Sequence, residues 1–177
     1  MIFVVTGPES SGKTTLSLEL SKHLGWPQFP ELAREYFSAR QAAEVYRYQP
    51  SDLLNLLKLQ QQLEASLPPS KPCILDTDAL TLLIWWQEKY GPAPLAFQRA
   101  WAKQIPRYYL LCEPDLPWEP DDMRENPLDR PRLMGWYRQE LAQRNCDFSI
   151  CSGLGPSRLQ SALASIKQVE NRLSAEL

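Results

Sequence analysis

The sequence has a single histidine, no Cys-x-x-Cys pair, no surplus of positive charge and no apolar run of membrane-spanning length, and each lack removes a class of function. With one histidine, the four cysteines Cys73, Cys112, Cys146 and Cys151 make a poor set of zinc ligands. Cys146 and Cys151 are near enough in sequence to share a metal, but all four read more simply as small core side chains. The 19 basic residues are outnumbered by 21 acidic ones, so the clustered positive surface that grips nucleic acid is not expected. The longest apolar stretch, residues 79–86, contains Thr81 and falls far short of the ~20 residues that cross a bilayer, so no membrane partner is expected. The N-terminal run lacks a basic segment and a small-residue cleavage site, which makes it a strand rather than a signal peptide and makes cytoplasm the expected location. No internal repeat is visible, and oligomeric state leaves no mark on the sequence.

What is present is an alternation of strand and helix signals. Residues 2–6 form an apolar, β-branched run suited to a strand buried on both faces. A helix from Thr14 carries leucines at 16, 18, 20 and 24 and stops at Gly25. Residues 28–32 suggest a second strand weakened by proline, and residues 33–47 have helical composition. Pro50, Ser51 and Asp52 start another helix, with Leu53, Leu54, Leu56, Leu57 and Leu63 on its apolar side and glutamines opposite, ended by Pro68 and Pro69. Strands are expected at 73–76, 108–112 and 147–151, and helices at 79–90, 94–104, 133–144 and 156–173. Residues 113–132 contain Pro114, Pro117, Pro120, Pro127 and Pro131 among many charges, so they read as a long surface segment, a lid. The expected fold class is α/β: a three-layer α/β/α sandwich with a five-stranded parallel sheet, in one domain over residues 1–177. In such a sheet ligands gather at the carboxyl ends of strands, here Gly7, Glu31, Asp76, Glu113 and Ser152.

Gly7, Gly12, Lys13 and Thr14 satisfy the phosphate-loop pattern G-x-x-x-x-G-K-[ST], with Pro8, Glu9, Ser10 and Ser11 inside it and Thr15 after it. Glycines let backbone N–H groups turn inward around phosphate oxygens, the lysine reaches the β and γ phosphates, and the threonine hydroxyl ligates Mg²⁺. The helix N-terminus behind the loop adds favourable charge. ATP and Mg²⁺ are therefore the expected cofactors. Asp76, at the tip of an apolar strand, has the position of a metal-holding carboxylate. Asp78 reads equally as a metal or substrate carboxylate and as a helix N-cap. Glu31 and Arg34 follow the second strand, where an acid would take a hydroxyl proton and a guanidinium would steady phosphates. Arg124, Arg130 and Arg132 lie in the lid, where they would neutralise a transferring phosphoryl and exclude water. Trp85, Trp86, Trp101 and Trp136 are expected to pack, whereas Trp118, in the polar lid, is the aromatic expected to meet a substrate.

Through the loop, Glu31-x-x-Arg34-Glu35-Tyr36, Asp76-Thr77-Asp78 and Trp118-x-x-Asp121-Asp122-x-Arg124, nearly the whole chain resembles the kinase domain of NadR-type ribosylnicotinamide kinases, in the P-loop nucleoside kinase group. The resemblance implies transfer of the ATP γ-phosphate to the 5′-hydroxyl of a nucleoside, nicotinamide riboside, with Tyr36 and Trp118 beside the acceptor. Residues 29–34 also resemble the segment after the second strand of deoxynucleoside kinases, whose glutamate is the base; by that likeness the base here is Glu31, with Asp78 the alternative that would activate the acceptor hydroxyl. The chain departs from the family's larger members, which carry an adenylyltransferase domain, and from its usual lid, which holds fewer prolines.

Overall fold

The computed structural model describes residues 1–38, 48–68, 71–102, 105–121 and 124–175. Strand β1 (Ile2–Thr6) is buried along its whole length and runs into the loop before α1 (Lys13–Leu24). The helix ends where Gly25 takes φ 69°, and its N–H donates to the carbonyl of Ser21. A left-handed cap of this kind favours glycine. Strand β2 (Gln28–Phe29) is followed by α2 (Leu32–Ser38) and α3 (Pro50–Ser66). Then come β3 (Cys73–Asp76), α4 (Ala79–Tyr90), α5 (Leu95–Ala102) and β4 (Arg107–Cys112). The chain finishes with α6 (Arg130–Gln143), β5 (Phe148–Cys151) and α7 (Pro156–Ala175).

All five strands are parallel, in the order β2-β3-β1-β4-β5. One apolar layer sets the sheet against α2 to α6 through Leu53, Leu56, Leu80, Tyr109, Leu133 and Tyr137. The other sets it against α1 and α7 through Phe3, Val5, Leu16, Leu20, Ile166 and Val169. Fully burying one such leucine stabilises the fold by roughly 1.5–3 kcal/mol, so both layers resist displacement of the strands that carry the site. The connection after β1 leads to β2 on one side of the sheet, while that after the neighbouring β3 leads to β4 on the other, so the two diverge and open a crevice at the carboxyl ends of β1 and β3.

Several boundaries differ from the sequence expectation for physical reasons. Strand β2 has two residues instead of five, because Pro30 supplies no N–H to a ladder and Leu32 already opens α2. The helix expected over 33–47 is described as far as Ser38; residues 39–47, like Pro69 and Gln104, lie outside the described residues. Helix α6 starts three residues early, at Arg130, since Pro131 is tolerated in a first turn. Arg130 and Arg132 are thus helical, and the lid is shorter than 113–132. The glutamine-rich side of α3 is not wholly solvated: Gln60 and Glu64 are buried and joined at 3.0 Å.

Candidate active site

The phosphate loop has two points where the backbone favours glycine over any residue with a side chain. Gly7 has φ 139°, and a Cβ there would stand 2.6 Å from the carbonyl oxygen of Cys112. At Gly12, φ 76°, a Cβ would stand 2.7 Å from Leu116 Cδ1. Ser10 adopts φ 53°, a left-handed conformation uncommon for a residue with a Cβ. The Ser11 hydroxyl donates to the carbonyl of Pro8 at 2.7 Å, and the Lys13 ammonium donates to the same oxygen at 2.8 Å. Residues 9–15 line a cleft of roughly 510 Å³ whose other walls are Glu31 and Arg34, Trp85 of α4, and Leu116, Pro117, Glu119, Asp121 and Arg124 of the lid.

Glu31 is buried at the start of α2, where its carboxylate meets Arg34 Nε at 3.2 Å. Burial raises its pKa above the ordinary carboxylate value, while the Lys13 ammonium pulls the other way. Arg34 reaches onward to Asp121 of the lid at 3.0 Å. Asp76 is 1% exposed, and neither of its carboxylate oxygens has a hydrogen-bond partner among the described residues. Burial raises its pKa; the nearby Thr14 hydroxyl and Lys13 ammonium lower it, although Thr14 stops short of closing a hydrogen bond of ordinary geometry. Leaving two buried carboxylate oxygens unmatched costs free energy, so the arrangement is suited to receiving a cation.

Two residues on, Asp78 has a different fate. Between them Thr77 takes φ 70°, its N–H donating to the carbonyl of Val5 at 2.9 Å. Asp78 Oδ1 accepts the N–H of Leu80 and caps α4, while Oδ2 accepts from Arg107 Nη1 at 2.9 Å and from the Tyr109 hydroxyl at 2.8 Å. Arg107 is also held by Glu64 at 2.8 Å. Both acceptors of Asp78 are thereby committed, and it does not line the cleft, so a base or substrate role does not fit its geometry. Tyr36 is likewise directed elsewhere: its hydroxyl donates to Asp52 of α3 at 3.0 Å. Trp118 is half-buried outside the cleft lining, with the Arg130 guanidinium 5.8 Å from its ring centre. Ser152 is exposed and also outside the lining.

The lid arginines divide. Arg124 lines the cleft, with Nη1 on the carbonyl of Glu119 and 3.4 Å from Ser10 Oγ. Arg130 stays outside the lining, donating to the carbonyls of Ser10 at 3.1 Å and Leu116 at 2.9 Å. Arg132 pairs with Glu88 and Asp129 on the surface. A fourth arginine escaped the sequence reading. Arg158, 4% exposed, donates to the carbonyl of Ser11 in the loop, to that of Gly153 at 2.9 Å and to the Asp115 carboxylate. Its signal was its spacing: Arg158, Ala162, Ile166 and Val169 are the buried stripe of α7, and an arginine on such a stripe needs internal acceptors. Trp85, expected only to pack, also lines the cleft, as does Asp121, which the motif resemblance included without a role.

The comparisons with known proteins bear on this site through its fold. A family profile described as AAA domain matches residues 2–158. The chain belongs to this AAA-domain family. No curated protein matches. Among solved structures, the fold is similar to that of a NadR protein in complex with NR, with TM-score 0.75 and 19% identity over 94% of this chain and 50% of the other. A NadR protein in complex with NAD and AMP-PNP is similar at TM-score 0.68 and 20% identity, over 94% of this chain and 48% of that one. The deoxyadenosine kinase of M. mycoides, with products bound, matches at TM-score 0.58 and 15% identity over 96% of this chain and all of its own. The AAA-domain chain spans about half the length of the NadR proteins it matches. The five-stranded parallel α/β sandwich is thus shared with P-loop small-molecule kinases, and the likeness of fold agrees with the resemblance carried by the motifs. Among the described residues, no helix is long and apolar enough to cross a membrane.

Proposed function

We propose that this chain is an ATP-dependent small-molecule kinase that transfers the γ-phosphoryl to a primary hydroxyl of a nucleoside, with nicotinamide riboside the favoured acceptor. On this reading residues 1–177 act as one kinase unit in the cytoplasm, where the four free cysteines suit a reducing compartment. The observation that carries the reading is one cleft combining the phosphate loop, buried Glu31, Arg34 and Arg124, next to the unpartnered carboxylate of Asp76. A module that only sensed nucleotide would need neither a buried acid nor arginines on the far side of the phosphate loop.

The loop amides and Lys13, released from the carbonyl of Pro8, hold the triphosphate. Thr14 and Asp76 provide hard oxygen donors that suit Mg²⁺, which when bound neutralises charge developing on the phosphates. Glu31 accepts the acceptor's hydroxyl proton, its raised pKa making it a better base than an ordinary carboxylate. Arg34 and Arg124 stabilise the phosphoryl group in transit, each worth on the order of 10²-fold or more in rate. Arg130 and Arg158 hold the loop backbone from outside the cleft.

Arg34 also informs the acceptor class. It is held between Glu31 and Asp121, so that end of the cleft is dominated by acids. A neutral or cationic nucleoside fits there better than a nucleotide bearing its own phosphate. Nicotinamide riboside, a cation, meets this condition, and its assignment rests on the motif resemblance.

The test is to incubate the purified protein with ATP, Mg²⁺ and a panel of nucleosides and nucleotides that includes nicotinamide riboside, following ADP with a coupled assay. Acceptor-stimulated ADP with nicotinamide riboside is expected, and Lys13→Ala should abolish it. ADP release that no acceptor stimulates would sink the kinase reading.

A further inference from the structure

Two side chains of the phosphate loop, Glu9 and Ser10, bond to the lid across the cleft. The Glu9 carboxylate accepts the backbone N–H of Glu125 on Oε2 at 3.0 Å and that of Asn126 on Oε1. Ser10 Oγ, aimed outward by the left-handed backbone at that residue, accepts the N–H of Glu119 at 3.1 Å and lies 3.3 Å from the carbonyl of Pro117, to which it donates. The lid therefore contributes backbone groups and the loop contributes side chains. Such docking is almost indifferent to the lid's own sequence and depends on two loop positions. The phosphate-loop pattern leaves both of those positions open, so nucleotide binding does not require a glutamate at residue 9.

Arg124 lies between the anchored points. Its N–H donates to the carbonyl of Asp121, and its guanidinium is set between the carbonyl of Glu119 and Ser10 Oγ. Glu119 on one side and Glu125 on the other are each tied to the loop, which fixes the backbone carrying Arg124. A carboxylate suits this duty because each of its two oxygens takes one N–H, whereas an amide side chain offers an acceptor oxygen at one of the two places and a donor at the other.

We propose that Glu9 is a positioning residue: it latches the lid onto the phosphate loop and so keeps Arg124 in the cleft before nucleotide arrives. The latch itself is a statement about lid docking; only its consequence for turnover rests on the kinase reading above. Water is kept from the transferring phosphoryl by the same contact.

Hydrogen exchange in the nucleotide-free protein tests the latch directly. Glu9→Ala is expected to speed exchange in the peptides carrying the Glu125 and Asn126 amides by about tenfold or more, with β1 and β4 unchanged. Equal exchange in the two proteins would overturn the proposal. Should the alanine variant fail to fold, Glu9→Gln decides: it keeps one acceptor oxygen, so faster exchange at one of the two amides is expected and unchanged exchange at both overturns the latch. In kinetics, Glu9→Ala should lower kcat about tenfold while KM for ATP moves less than about threefold. Combined with Arg124→Ala it should add little to the loss from Arg124→Ala alone; full additivity would show that Glu9 does not act through Arg124. The two readings fail separately. An inactive protein with a latched lid sinks the kinase assignment, and an active one with unaltered exchange sinks the latch.

Discussion

Asp76 and Asp78 lie two residues apart, each 1% exposed, and they meet opposite environments. Asp76, beside Thr14 and Lys13, has no hydrogen-bond partner for either oxygen among the described residues, whereas Asp78 spends its own on Leu80, Arg107 and Tyr109. The left-handed turn at Thr77 separates them. The difference teaches how function and stability are divided in this fold. A buried acid without partners lowers stability and waits for a ligand; a buried acid with every acceptor filled joins elements together.

Substitutions should break this comparison cleanly. The largest effect is expected from Asp78→Ala, which leaves the Arg107 guanidinium buried with only Glu64 opposite it. A loss of about 3–5 kcal/mol in denaturant unfolding is expected. Next is Asp76→Asn, for which turnover should fall on the order of 10²-fold or more in the coupled assay. Its unfolding free energy should hold steady or rise by about 1 kcal/mol, because an unpaired buried charge is removed.

The pH dependence sharpens the same contrast. Burial raises the pKa of Asp76, so the folded state binds its proton more tightly than the unfolded state does. The stability it contributes is therefore greatest at low pH and declines as pH rises from the ordinary carboxylate value through the raised one. Mg²⁺ with ATP should reverse that decline, which thermal melts across pH would record. For Glu31 the active form is the ionised one and its pKa is also raised by burial. The rate should fall as pH drops through that raised value, and this acidic limb of the kcat/KM profile should disappear in Glu31→Gln. The smallest effect is expected from Tyr36→Phe: about 1 kcal/mol of stability, from the lost bond to Asp52, with turnover retained.

How far the site could be read in advance depended on whether a residue acts through local geometry. The loop from Gly7 to Thr14 is a local device, in which φ values and amide directions follow from adjacent residues, and the structure places its residues 9–15 along the cleft. The place of Asp76 at the end of β3 was legible for a similar reason, since an apolar strand ending in a carboxylate has one tip. Asp78 was not: whether it faces the cleft depends on Arg107, far along the chain at the foot of β4. Tyr36 and Trp118 carried the same ambiguity, because an aromatic residue near a site can turn toward the ligand or into the protein. Arg158 and Trp85 reach the site only through the packing of α7 and α4.

The sequence by itself determined the alternation of strand and helix, the parallel sheet and the phosphate loop, because periodicity, glycine placement and capping act over a few residues. Only the tertiary structure decided which acid remained unpartnered, which arginines entered the cleft and that Glu9 faces the lid. Those outcomes turn on charges brought together from distant parts of the chain, where burial makes the choice of partner decisive.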